Sequence, residues 1–123
     1  MPDIPAEMMH YIYDELHDLE DEHVQIVAKI KHHIDKHYMN DLPLEKLAEL
    51  VHLSPSYLSR LFKRIRGENL SSYIQKVRIE EAKKLLEYTS LKVFEVGEKV
   101  GIPDPVYFSR IFKKITGVKP KDY

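Results

Sequence analysis

The sequence predicts an all-α protein, and three observations carry that prediction. A segment of eleven residues recurs almost unchanged at an offset of 50. Apolar residues around both copies recur at spacings of three and four, the period of a helix face. Each copy also carries the same punctuation: Ser-Pro or Asp-Pro at its start and glycine at its end.

The chain has 123 residues, 43% hydrophobic and 32% charged, which suits a folded domain and not a disordered segment. No run of eighteen apolar residues and no basic-then-apolar leader is present, so neither a membrane span nor a secretory signal is expected. Cysteine is absent, which removes disulfides, thiolate metal sites and cysteine nucleophiles, and a cytoplasmic location is expected. The net charge of −1 hides an asymmetry. Residues 1–22 hold eight acids and no Lys or Arg; the rest holds 12 acids and 19 bases, a charge of +7. A basic domain behind an acidic segment points to a polyanionic partner.

The first element spans the acidic segment and continues past it. Met9, Ile12, Leu16, Leu19, His23, Ile26 and Ile30 follow a heptad, broken only by His23. Two readings stand: a helix that pairs with a second chain over residues 9–30, and an amphipathic helix packed on its own domain. Histidines invite a metal reading, with His33 and His37 one turn apart and His10, Asp14 and His17 on one face. No third ligand is fixed for His33 and His37, and structural zinc sites want four ligands, so no metal and no cofactor is expected.

The first repeat unit covers about residues 43–66. Leu44, Leu47, Ala48 and Val51 make one helix face, with Pro43 at its opening. His52-Leu53 breaks the period. Ser54 can cap the next helix and Pro55 suits its first position. Leu58, Leu61, Phe62 and Ile65 form its apolar stripe, and Gly67 stops it. A linker helix follows over about 70–88, with Tyr73, Ile74, Val77, Ile79, Ala82, Leu85 and Leu86 inward and Glu80 and Glu81 near Lys84.

The second unit, about 93–116, repeats the first. Val93, Val96, Gly97 and Val100 match Leu44, Leu47, Ala48 and Val51 at an offset of 49. Asp104-Pro105 repeats the cap and proline, and Phe108, Ile111, Phe112 and Ile115 repeat the stripe before Gly117. Ala48 and Gly97 are small where the paired helices would approach closely. Downstream, Tyr73 matches Tyr123. Two short helices joined by three or four residues form a helix-turn-helix unit, and here there are two in tandem. An αα-hairpin that only packs would share this pattern.

The outward faces separate those readings. The second helix of the first unit leaves Ser56, Ser59, Arg60 and Lys63 on one face, with Arg64 beside it. The second unit leaves Val106, Ser109, Arg110 and Lys113, with Lys114 beside it. Neither face carries an acid. Small residues let a helix enter a major groove, arginine offers a donor fork for guanine, and lysine reaches phosphate. Nineteen residues of linker helix span about 28 Å, close to the roughly 34 Å between successive major grooves. A basic helical module for an acidic protein is the competing reading; it predicts indifference to DNA sequence. Nothing marks an enzyme: the four glycines do not cluster into a phosphate loop and no nucleophile motif is present.

These residues resemble the DNA-binding domain of the AraC/XylS family of bacterial transcription regulators. The resemblance covers about residues 23–123 and rests on Leu47–Lys63, on Arg78–Leu86 and above all on Val100–Tyr123. It implies about seven helices and a monomer that spans two major grooves. It makes Ser56, Ser59, Arg60, Val106, Ser109 and Arg110 base contacts, with Val106 able to meet thymine methyls. Lys63, Arg64, Lys113 and Lys114 would be phosphate contacts, and Ser54 and Asp104 the recognition-helix caps. It further implies a sensor elsewhere in a longer regulator, with residues 1–22 as connector or dimerisation segment, and RNA polymerase as a further partner.

Overall fold

The computed structural model describes residues 5–123; residues 1–4, with Asp3 of the acidic segment, lie outside the described residues. Six α-helices follow in order: α1 Ala6–His37, α2 Leu44–Leu50, α3 Pro55–Arg66, α4 Leu70–Tyr88, α5 Val93–Lys99 and α6 Pro105–Thr116. A 3-10 turn at Pro120–Asp122 closes the chain. Helix α4 has the nineteen residues that the sequence pattern assigns to the linker. The described residues thus hold six α-helices and a 3-10 turn where the resemblance implies about seven helices, and the N-terminal extension runs on without a break into the helix that enters the domain as α1.

Two hydrophobic cores form, one under each unit. The first gathers Val27, Ile30 and Ile34 of α1, Leu47 and Ala48 of α2, Leu58, Leu61 and Phe62 of α3, and Leu70 and Tyr73 of α4. The second gathers Ile79 and Ala82 of α4, Val96 and Val100 of α5, Ile102, and Phe108, Ile111 and Phe112 of α6. Helix α4 supplies residues to both and is the beam between them. Phe62, Phe108 and Phe112 are fully buried; each such side chain contributes about 2–3 kcal/mol by area removed from water. The duplication extends to the closing tyrosines. Tyr73 packs on Phe62 with ring centroids 5.6 Å apart, and Tyr123 packs on Phe112 at 5.4 Å.

The tyrosine hydroxyls anchor differently. Tyr73 donates to Asp35 Oδ1 at 2.6 Å, tying α4 to α1. Burial alone would raise the Asp35 carboxyl, but this bond and Lys31 outweigh it and hold the group below its ordinary range. Tyr123 donates to Glu87 on α4, and that bond pushes its hydroxyl up to about 12.

The turns show why small residues stand where they do. A Cβ on Gly97 would sit 2.8 Å from the Ile102 carbonyl oxygen and 3.2 Å from the Phe108 ring, so α5 meets α6 with no room to spare. Gly101 has φ +91°, and its counterpart in the first unit, His52, adopts φ 56°. A left-handed turn is therefore built into both units, although only the second spends a glycine on it.

The heptad divides at His23. From Ala6 to Glu22 the described side chains of α1 are exposed, including Met9, Ile12, Leu16 and Leu19. Ile26 packs on the first core and Ile30 is fully buried in it. A seam running over residues 9–30 between two chains is thus corrected: its second half is spent inside the domain, and only Met9–Leu19 stays open. Among the described residues no helix is long and apolar enough to cross a membrane.

Candidate nucleic-acid interface

The two outward faces begin with their caps. Ser54 Oγ accepts from the Tyr57 backbone N–H at 3.2 Å, and Pro55 occupies the first position of α3. Asp104 Oδ1 accepts from the N–H groups of Val106 and Tyr107 at 3.0 and 3.1 Å, with Pro105 in the equivalent place of α6. Both helices end on a left-handed glycine, Gly67 or Gly117, whose N–H bonds the Lys63 or Lys113 carbonyl at 2.8 Å. Each helix is therefore twelve residues long and in the same register.

That shared register gives matching surfaces. Ser56, Arg60, Lys63 and Arg64 are exposed and Ser59 is half-buried. Val106, Arg110, Lys113 and Lys114 are exposed and Ser109 is half-buried. Val106 is 69% exposed, an apolar side chain offered to solvent at the entry of α6. Among the described residues, no carboxylate pairs with Arg60, Lys63, Arg110, Lys113 or Lys114. Lys31, Lys76, Lys83 and Lys84, on α1 and α4, all have such partners. The outward faces of α3 and α6 thus keep their cations available, Arg64 apart, as do several lysines elsewhere on the surface.

Arg64 stands apart from its repeat partner. Its Nη1 donates to Glu20 Oε1 at 2.9 Å and its Nη2 to His23 Nδ1 at 3.1 Å, both on α1. It lies on the flank of α3 that faces α1, whereas Lys114 faces no such helix. No sequence signal placed Glu20 beside it, because the contact joins residues 44 apart.

The surface between the two faces is continuous. One depression is lined by Ser59 of α3 with Leu42, Asn69, Ser71 and Ile74. An adjoining one shares Leu42, Ser71 and Ile74 and reaches Gln75, Arg78 and Tyr107 of α6. Gln75 Nε2 donates to the Tyr107 hydroxyl at 3.0 Å. Ser59 on the flank of α3 and Tyr107 at the entry of α6 thus line adjoining depressions along α4.

Arg78 sets the joint. Its Nε donates to the Tyr38 carbonyl at 2.7 Å and its Nη2 to the Asn40 carbonyl at 2.8 Å. A Cβ on Gly101 would lie 3.0 Å from the carbonyls of Tyr38 and Met39, so the turn of the second unit presses on the same segment. Burial lowers the guanidinium pKa, and Asp41 acts against it. The sequence carries Arg78 only as part of a motif; its two acceptors are visible only in the fold. The His33 and His37 rings are tilted against each other with centroids 4.6 Å apart, and among the described residues, which leave out the Asp14 side chain, no three metal-ligating side chains gather.

Comparison with known proteins agrees with this geometry. The family model described as a helix-turn-helix domain matches residues 47–123. The bifunctional transcriptional activator/DNA repair enzyme AdaA of Bacillus subtilis is 43% identical over 94 residues, 76% of this chain and 44% of that protein. The chain thus spans less than half the length of that relative, and the curated relatives are mostly transcriptional regulators. Among solved structures, the C-terminal domain of AraT, a response regulator from Geobacillus stearothermophilus, superposes with a TM-score of 0.77 at 41% identity, covering 80% of this chain and 82% of that one. The DNA-binding domain of AdpA, solved in complex with a target DNA, gives 0.75 at 25% identity, over 79% and 87%. With two capped, glycine-stopped units on one linker helix and a profile match across both, the chain belongs to the AraC-type helix-turn-helix family.

Proposed function

We propose that this chain binds double-stranded DNA sequence-specifically, with α3 and α6 in successive major grooves, as the output domain of a longer transcription regulator. The observation that carries the reading is the pair of matching cationic faces, on which, among the described residues, no cation except Arg64 is paired with a carboxylate. Ser56, Ser59 and Arg60 read bases in one groove; Val106, Ser109 and Arg110 read the next. Serines keep the helix close, the arginine fork suits guanine O6 and N7, and Val106 suits a thymine methyl. Lys63, Lys113 and Lys114 hold phosphates and fix the register. Residues 1–22 act as the connector to the regulator's other parts and residues 23–123 as the DNA-binding domain. The function is binding and not catalysis, the setting is the bacterial cytoplasm, and RNA polymerase is a further partner.

Selection of bound sites from random duplex DNA tests the reading. Two short conserved boxes separated by about one helical turn are expected. Enrichment of no sequence would sink it and favour the module that binds acidic proteins.

A second copy fits the remaining seam at Met9, Ile12, Leu16 and Leu19. Two heptads fall short of a stable coiled coil, so only weak pairing is expected. Sedimentation at several concentrations, with and without residues 1–22, checks it; a monomer at every concentration removes this partner.

A further inference from the structure

Beyond their shared hydrophobic core, helix α1 meets the first recognition helix through a polar cluster. Glu20 Oε1 accepts from Arg64, Arg64 donates to His23 Nδ1, and His23 Nε2 lies 3.2 Å from the Tyr57 hydroxyl. A guanidinium only donates, so Nδ1 must accept, which puts the ring hydrogen on Nε2 against the Tyr57 oxygen. The cluster sits where α1 leaves the domain: Val27, Ile30 and Ile34 are buried just after it, and the described side chains before His23 are exposed. The second unit lacks the arrangement. There Tyr107 meets Gln75 of α4, and Lys114 has no acid beside it among the described residues.

We propose that Glu20 is a positioning residue for DNA binding: it holds Arg64 on the connector, and displacement of the connector releases Arg64 to a DNA phosphate. The proposal rests on the DNA-binding reading above and adds its regulation. While α1 holds Nη1 on Glu20 and Nη2 on His23, that edge of the Arg64 guanidinium cannot also take a phosphate, so carboxylate and phosphate compete for it. The ion pair is half-exposed, with side chains 52% and 57% accessible, and such pairs are weak. A small rotation or bend of α1 upstream therefore suffices to break it. The turn that carries Glu20 leads into the domain and moves with the connector, because the buried anchors begin only at Val27. An input arriving along the connector would change the number of phosphate contacts in the first unit and leave the second unchanged.

The test uses the full chain with Glu20→Gln, Arg64→Ala and the double variant, on a selected duplex and on a random one. Glu20→Gln keeps the size of the side chain and removes its charge. Its affinity is expected to rise about 2–5-fold on both duplexes at low salt. The slope of log affinity against log salt should steepen by about 0.9, one added phosphate contact. In the Arg64→Ala background the same substitution should change neither quantity, and thermal melting shows whether each variant is folded. An unchanged slope for folded Glu20→Gln overturns the proposal, as does a Glu20→Gln effect that survives without Arg64. If the unsubstituted chain binds neither duplex, the DNA-binding reading itself has failed, which is a separate result.

Discussion

Replacing Arg60 with alanine is expected to weaken binding to a selected site by roughly 1–3 kcal/mol while costing far less on random DNA. The face it occupies carries no internal acid, so the loss is that of an intermolecular contact and not of a fold-stabilising ion pair. Arg60 stands one turn after the exposed Ser56 and beside the half-buried Ser59, on the outward face of α3 that is proposed to enter the major groove. Arg110 occupies the same register position in α6, and Arg110→Ala should lose a similar amount at a different base pair. Lys63→Ala provides the contrast. A phosphate contact is blind to sequence, so its loss should weaken both duplexes alike and flatten the salt dependence by about 0.9. Binding titrations on the two duplexes at several salt concentrations separate the outcomes. Equal losses on both duplexes for Arg60→Ala would reassign that residue to the backbone.

Arg78→Ala should lower stability by about 2 kcal/mol and uncouple the two units. Two carbonyl oxygens, of Tyr38 and Asn40, lose a charged donor at once. The Asn40 bond is exposed and water can replace it, so the cost falls mainly on Tyr38. The larger consequence is geometric. Those carbonyls belong to the segment that enters the first unit, Arg78 belongs to α4, and Gly101 of the second unit presses on the same segment. A two-box duplex gains affinity because binding one box holds the other unit near its own, and that gain depends on a fixed span. Affinity for the two-box duplex should therefore fall well beyond the fall for a single-box duplex. Arg78→Lys should rescue little, since one ammonium cannot reproduce the fork. Equal losses on one-box and two-box DNA would show that Arg78 acts on stability alone.

Much of this architecture was legible in the residues themselves. The repeat, the Ser54-Pro55 and Asp104-Pro105 starts and the glycine stops are local signals, and local hydrogen bonds realise them. The bounds of α4 follow equally from its apolar period. Asn69 was a missed local signal: its side chain caps α4 by accepting from the Ser72 N–H at 2.8 Å, and an Asn before an apolar run is a cap pattern. Three other features had no local trace. The heptad of α1 looks the same whether its partner is another chain or its own core, so periodicity could not say that Ile30 is buried within the domain. Arg64 looks like Lys114 until α1 is laid against α3. The left-handed turn at His52 carries no glycine to announce it, and its alignment with Gly101 is what betrays it.

The division of the interior into two separate cores bears on how such a protein changes over generations. Each reading head rests on its own foundation, Phe62 and its neighbours for one, Phe108 and Phe112 for the other. Substitutions that retune one half of an operator need no compensating repair under the other half. Lineages can therefore drift in one half-specificity while keeping the other, and mosaic operators become accessible by single steps.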